Sequence, residues 1–402
     1  MIIENVFPRD RYLKAVKPYM HQQLIKVFTG QRRVGKSYLM FQIINLIKIE
    51  TAKANIIYIN KEDLKFDFIK NYMDLQTYVL NQKKESVQNY VFIDEIQDIV
   101  GFEKALRSLL LDENLDIYCT GSNANLLSGE LANLLSGRYV EINVHSLSYL
   151  EFLQFHDLRN DEDSIKKYLK YGGLPYLIHL PLQDEVVFDY LKNIYTTIIY
   201  RDIIERYALR NVKFLEQLTL FLAGNIGSLF SAKKISDFLK SQQIKIAPNQ
   251  VINYIKYLKN AFIVYEVPRY DVLGKRVFEV GDKYYFENLG IRNALWGYRL
   301  EDQGKILENA VFNHLVFLSY QVKVGVLDKE EVDFVAEKAG EVLYIQVALR
   351  LDEEKTIERE FGNLLKIQDN YPKLVVTRNG FNGNTYKGIP VISIQDFLLR
   401  DE

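Results

Sequence analysis

The 402-residue chain has a formal net charge of −1, with 48% hydrophobic and 26% charged residues. That is the balance of a soluble globular protein, and it gives no global pull towards nucleic acid. The length exceeds what one core fills and implies about two to four domains, while no apolar run approaches the roughly 18–20 residues that span a bilayer, so no membrane segment is expected. Cys119 is the single cysteine, which excludes an internal disulfide or a cysteine-based zinc site, and the five histidines lack metal-ligand spacing.

Met1-Ile2-Ile3-Glu4-Asn5 has neither a basic region nor an apolar signal core, so the expected location is cytoplasmic. Arg9, Arg11, Tyr12 and Leu13 begin a short helix that Pro18 interrupts. Read locally, this segment is an N-terminal cap on a sheet.

Residues 24–29 form an apolar strand, and residues 37–48 have the apolar spacing of a helix. Between them, Gly30-Gln31-Arg32-Arg33-Val34-Gly35-Lys36-Ser37 matches G-x-x-x-x-G-K-[ST] at every fixed position, with Tyr38 following. Glycines let the backbone wrap phosphate oxygens, and the N–H groups and the helix N-terminus present positive dipole ends to an anion. Lys36 adds a point charge for β- and γ-phosphates, and the Ser37 hydroxyl is a ligand for Mg²⁺. Residues 30–38 are therefore expected to bind ATP.

Further strands are expected at 55–59, 90–93, 115–120 and 139–144, separated by helical stretches. Such alternation means a parallel sheet covered on both faces, with ligand at the carboxyl ends of its strands. The 90–93 strand ends in Asp94-Glu95. Asp94 is placed to hold Mg²⁺ through water and Glu95 to polarise an attacking water, the pair that hydrolysis requires. Thr120-Gly121-Ser122-Asn123 follows the fourth strand and, read locally, is a turn whose Ser122 or Asn123 oxygen caps a helix at 124–127. Arg138, ahead of the fifth strand, reads on its own as a solvated surface arginine.

Residues 147–208 are helical in pattern, broken at Tyr171-Gly172-Gly173-Leu174-Pro175-Tyr176. Residues 214–286 read as a winged helix: helices at 215–222, 231–239 and 248–258, then strands at 262–267 and 276–280 joined across Gly274 as the wing. Lys233, Lys234, Lys240, Lys245, Lys256, Lys259, Lys275 and Arg276 outnumber Asp237, Glu266 and Asp271 there. Local positive charge of this kind suits DNA contact. Beyond 285, a helix at 305–320 carries Glu308, and strands at 321–326, 331–337, 342–349 and 374–377 flank a helix at 353–369.

That order, with Glu308, Asp333 and then Tyr344-Ile345-Gln346-Val347-Ala348, resembles the PD-(D/E)-x-K nuclease core. Gln346 and Ala348 stand where its second acid and its lysine belong, so the scaffold is expected to be kept without the catalysis. As a whole the chain resembles a family of prokaryotic AAA-like ATPases, related to STAND and archaeal ATPases, with a C-terminal domain of unknown function and nuclease-like fold. Tyr200-Arg201-Asp202 and residues 286–290 add to the likeness. The resemblance implies that Ser122 or Asn123 is a polar sensor for the γ-phosphate and that Arg138 is an arginine finger reaching a neighbouring subunit, hence a homo-oligomer. It also implies that Pro175 contacts adenine from a helical lid, and it offers the segment before the first strand a place near the adenine.

The implied layout is an α/β P-loop ATPase core at 1–146, a lid at 147–210, a winged helix at 211–284 and an inactive nuclease-like domain at 285–402. The expected function is ATP hydrolysis with Mg²⁺ that switches lid and winged helix. A nucleotide-controlled DNA-binding regulator and a nuclease effector are the alternatives.

Overall fold

The structure, a computed structural model, describes residues 7–124, 135, 137–241, 243, 246–277, 281–328, 330–379, 381 and 383–401. It divides into two compact units, Met1–His145 with Asn260–Phe262, and Ser146–Lys259 with Ile263–Glu402.

The first unit is built on a five-stranded parallel sheet of β1 (Ile25–Thr29), β2 (Asn55–Asn60), β3 (Asn89–Asp94), β4 (Leu115–Gly121) and β5 (Tyr139–Asn143), in the order β2-β3-β4-β1-β5. β1, β3 and β4 are buried along their whole lengths, which is why they read as continuous apolar runs rather than alternating ones. Each lies within a residue of its expected span. Helices α1 (Asp10–Val16), α2 (Lys36–Glu50), α3 (Tyr72–Gln82) and α4 (Phe102–Leu109) complete the unit. The chain leaves β1 for the far edge at β2, returns through β3 and β4, and crosses to β5 on the other side. β1 is thus the point where strand order reverses, and the segment at its carboxyl end sits where α/β sheets bind ligands. At the opposite end of the sheet the Lys26 ammonium pairs with Asp116, both buried, and Tyr118 and the His21 N–H donate to the same carboxylate at 2.8 and 2.9 Å. This pair ties β1 to β4 below the loop.

The second unit starts with α5 (Tyr149–Phe155), α6 (Glu162–Tyr171) and α7 (Asp184–Thr197), the last running into a π-helix at Ile198–Glu205 that contains Tyr200-Arg201-Asp202. Next come α8 (Val212–Gly224), β6 (Leu229–Phe230), α9 (Ala232–Ser241), α10 (Pro248–Asn260) and β7 (Val264–Val267), then β8 (Arg269–Asp271), β9 (Arg276–Val277) and β10 (Asp282–Phe286). β6, β10 and β7 form a three-stranded sheet in that order. The expected pairing of 262–267 with 276–280 across Gly274 is corrected here. β7 pairs with β10, Val264 beside Phe286 and Val267 beside Lys283. Tyr284, Tyr285 and Phe286 bury completely or nearly so, whereas Val277 is 50% exposed, and burial decides which strand β7 takes. The Gly274 turn instead joins β8 to β9, and residues 278–280 lie outside the described residues.

After α11 (Leu289–Trp296) and α12 (Gln303–Phe317) follow β11 (Gln321–Leu327), β12 (Glu330–Lys338), β13 (Glu341–Arg350), α13 (Glu354–Leu365), β14 (Lys373–Asn379), β15 (Thr385–Tyr386), β16 (Ile389–Ser393) and α14 (Ile394–Leu398). Their mixed sheet runs β15-β16-β14-β13-β12-β11-β8-β9. Among the described residues no helix is long and apolar enough to cross a membrane.

Candidate functional site

The loop after β1 owes its path to close backbone approach. A Cβ on Gly30 would lie 2.1 Å from the Val144 carbonyl oxygen, and Gly30 holds φ +147°. Gly35, φ 98°, supplies the left-handed turn that starts α2, and Arg33, φ 72°, sits in the same region without being glycine. Buried Arg9 braces the loop from the side, donating through Nη1 to the carbonyls of Val34 and His145 at 3.0 Å each. The pre-strand segment is therefore a loop support as well as a cap. Burial, with Arg9 and Arg11 adding, holds the His145 imidazole neutral, its pKa down to about 3.

Lys36 opens α2, and its Nζ donates to the Gly30 and Gln31 carbonyls at 3.0 Å each. Arg32 pairs with Glu62 at 3.1 Å. Val34 is fully buried, whereas Arg33 and Tyr38 face solvent, Tyr38 packing edge-on to Phe41.

Asp94 ends β3 and Glu95 follows in the left-handed region, φ 56°. Thr120 organises both: its hydroxyl donates to Asp94 Oδ1 at 2.5 Å and accepts from the Glu95 N–H at 3.0 Å. Tyr58 donates to Asp94 Oδ2 at 3.3 Å. Burial pushes the Asp94 carboxyl up, against hydrogen bonds from Thr120 and Ser37 and the nearby Lys36 charge. Burial pushes the same way on Glu95, but Lys36 and Arg32, with hydrogen bonds from Gln97 and Ser122, outweigh it and hold Glu95 below the usual carboxylate range. The Ser122 hydroxyl donates to Glu95 Oε2 at 3.2 Å, and Gln97 donates to the same oxygen. Two adjacent carboxylates are thus driven apart in proton affinity, the pattern of groups with separate tasks.

The buried Asp94 carboxyl and the Ser37 hydroxyl beside it form a hard oxygen pair, which fits Mg²⁺. Among the described residues no group of three His, Cys, Asp or Glu could hold a metal.

Loop, carboxylates, Ser122 and buried Asn123 all fall at the carboxyl ends of β1, β3 and β4. The 124–127 helix lies outside the described residues from 125 on. Arg138 is exposed at the amino end of β5. With Tyr139 beside Ile25 and Asn143 beside Thr29, it stands about 17 Å along the strands from the loop, beyond the reach of its own side chain. Pro175, in the second unit, opens a 3₁₀ turn at Pro175–His179. The preceding glycines serve packing: a Cβ on Gly172 would meet Asn288 Oδ1 at 2.6 Å, and one on Gly173 the Leu147 carbonyl oxygen at 2.4 Å.

Sequence reasoning missed Gln97, gave Thr120 and Arg9 no role of their own at the site, and placed Arg32 in the loop without its Glu62 partner. Thr120 was the most accessible of these, since a hydroxyl one residue before the end of β4 can reach the end of the neighbouring strand. The others depend on tertiary contacts.

A second group of carboxylates lies in the second unit. Lys283, on β10 and 3% exposed, meets Glu308 at 2.8 Å, Glu331 at 2.6 Å and Asp333 at 4.0 Å. Tyr285 donates to Glu308, and the Val347 N–H to Asp333 Oδ2 at 2.8 Å. Burial and the Glu308 charge drive the Asp333 carboxyl well up, while the three carboxylates overcome burial to raise the Lys283 ammonium. Gln346 turns to Glu360, 2.8 Å away, and Ala348 packs in the apolar core with Leu351 and Phe361.

Residues 22–153 match the family model described as AAA domain. Residues 162–302 match that of a domain of unknown function, DUF8612. An uncharacterized protein of Haemophilus influenzae is 37% identical over 400 residues, 98% of each chain. An uncharacterized protein of Methanocaldococcus jannaschii is 30% identical over 343 residues, 80% of this chain and 71% of its own. Among solved structures, a Walker-type ATPase of Pyrococcus abyssi aligns with 73% of this chain and 96% of its own at 17% identity, TM-score 0.47.

Proposed function

We propose that this chain, which belongs to one protein family with the Haemophilus influenzae and Methanocaldococcus jannaschii relatives and carries an AAA domain, is an ATP hydrolase whose nucleotide cycle switches its second unit. The carrying observation is the Thr120 hydroxyl holding Asp94 and the Glu95 main chain at once, beside the Lys36 loop. Gly30, Gln31, Arg32, Arg33, Val34, Gly35, Lys36, Ser37 and Tyr38 form the phosphate-binding segment. Lys36 neutralises the β- and γ-phosphates, and Ser37 and Asp94 would hold Mg²⁺, which supplies charge neutralisation on the phosphate oxygens. Glu95, kept ionised by Lys36 and Arg32, accepts a proton from the attacking water, with Ser122 and Asn123 orienting it.

Arg138 acts on the loop of a second copy, since its own is out of reach, and this makes the active form a homo-oligomer. Residues 147–210 are read as the lid, Pro175 facing the adenine, and residues 211–284 as a winged helix, for which the β6-β10-β7 sheet and helices α8 to α10 give support. The DNA-regulator reading is weaker. Lys240, Lys259 and Arg276 pair with Asp237, Glu266 and Asp271, leaving Lys233, Lys234, Lys256 and Lys275 as exposed positive charge, and Lys245 lies outside the described residues. For the C-terminal nuclease-like reading, Ala348 in the core and Lys283 among the acids support an inactive scaffold.

The test compares the Glu95→Gln protein with wild type. Glu95→Gln should bind ATP and lose turnover by about 10²–10⁴-fold. If it hydrolyses at the wild-type rate, the mechanism is wrong.

A further inference from the structure

The three residues Asn260–Phe262 lie far down the chain from the phosphate loop yet pack with the first unit. One anchor is a buried contact. Gln31 Nε2, in the second position of the loop, donates to the Phe262 carbonyl oxygen at 2.7 Å, and Gln31 and Phe262 are 1% and 5% exposed. Phe262 holds φ 55°, a left-handed conformation that a bulky residue adopts only when its surroundings impose it. Gln31 Oε1 is buried with no hydrogen-bond partner. An amide with its donor used and its acceptor orphaned is a costly arrangement, and such arrangements collect at parts that move or work.

The same residue is gripped a second time. The Gln31 main-chain carbonyl accepts from Lys36 Nζ at 3.0 Å, so one loop residue links the lysine to the Asn260–Phe262 turn. An ammonium is held more strongly by anionic phosphate oxygens than by neutral carbonyls, because attraction between opposite charges adds to the hydrogen bond. Phosphate oxygens in the loop therefore draw Lys36 from the Gln31 carbonyl, and the freed peptide can turn. Its side chain turns with it. The Phe262 carbonyl then loses or resets its one donor, and the turn it belongs to joins α10, ending at Asn260, to β7, starting at Val264.

We infer that Gln31 is a positioning residue that couples phosphate occupancy of the loop to the turn between α10 and β7, so that nucleotide sets the conformation of the segment on either side. This rests on the ATP reading above and gives its switch a first step. The alternative is a brace that holds the turn identically whether or not phosphate is present.

Hydrogen exchange of the backbone amides at 258–264, with and without ATP and Mg²⁺, separates the two. The Glu95→Gln protein serves as the host so that ATP persists, and titration verifies ATP binding in each protein. Exchange should change by about 3-fold or more on ATP addition, and the change should vanish in a Gln31→Met, Glu95→Gln protein, which keeps the side-chain volume without the donor. Unchanged exchange in a host that binds ATP would overturn the inference without any need of the Met variant. So would an ATP-dependent change that survives Gln31→Met. Failure of the wild-type chain to bind ATP at all would fell the nucleotide reading itself, and this coupling with it.

Discussion

Each unit sets a lysine beside carboxylates at strand ends, but the two lysines are held by different partners. In the first unit Lys36 rests on two neutral main-chain carbonyls, with Glu95 near enough to feel its charge. In the second, Lys283 lies within ion-pair distance of Glu308, Glu331 and Asp333. A carbonyl grip is weak enough to exchange for phosphate oxygens, whereas release from buried carboxylates would strand charges in low dielectric. The difference separates a lysine available to a ligand from one consumed by the fold.

Four experiments bear on that contrast. The largest effect belongs to Lys36→Ala. It should weaken ATP binding by about 100-fold or more, read by titration, while changing denaturant stability by about 1–2 kcal/mol, because Lys36 donates to the neutral Gly30 and Gln31 carbonyls and the charge it lends Glu95 is shared with Arg32. Lys283→Met should invert that result, leaving ATP affinity alone and costing about 3 kcal/mol of stability in urea titration, since Glu308 and Glu331 are left without their cation. Equal destabilisation by both substitutions would erase the distinction.

A smaller effect is expected from Asp333→Asn. Burial and the Glu308 charge already favour the protonated Asp333, so a neutral amide should change stability by about 1 kcal/mol or less. ATP turnover should match wild type, and neither protein should cleave DNA with Mg²⁺ or Mn²⁺. Cleavage lost on this substitution would mean that Lys283 serves a working site.

The smallest effect concerns Asp282, next to Lys283 on β10. Burial, then Glu266, push its carboxyl up to about 6 against the pull of Lys259. A folded pKa above the unfolded one means the ionised form destabilises the fold: the penalty is full above pH 6 and fades as pH falls towards 4. The group is about half exposed, so screening limits Asp282→Asn to a gain of roughly 0.5–1 kcal/mol at pH 7.5. The gain should shrink in melts run at lower pH.

What could be read from the sequence follows the range of the interactions involved. The strands of the first unit, the phosphate loop and the Asp94-Glu95 pair are written in contiguous residues, because buried parallel strands need unbroken apolar runs and a phosphate loop needs its glycines in place. Lys283 could not be read. Its charge reaches Asp333 from another strand, fifty residues earlier in the chain, by a pairing that spacing does not encode. The wing failed for a related reason. Gly274 is a sound turn signal, and it does make a turn, but the partner of β7 was decided by the burial of Tyr284, Tyr285 and Phe286. Arg138 shows the reverse, since the register of β5 against β1 fixes its distance from the loop as soon as both strands are known.

The residues that brace Gln31 also impose an order on biosynthesis. β5, the last strand of the first sheet, ends at Asn143, so all five strands leave the ribosome well before Phe262 is made. At roughly 5–20 residues per second the gap is about 6–24 s, far longer than local folding requires. Through that interval the nascent sheet carries its phosphate loop without the carbonyl that holds Gln31, and the loop takes its final form only when the later segment folds back onto it. The nucleotide site thus matures after the domain that contains it.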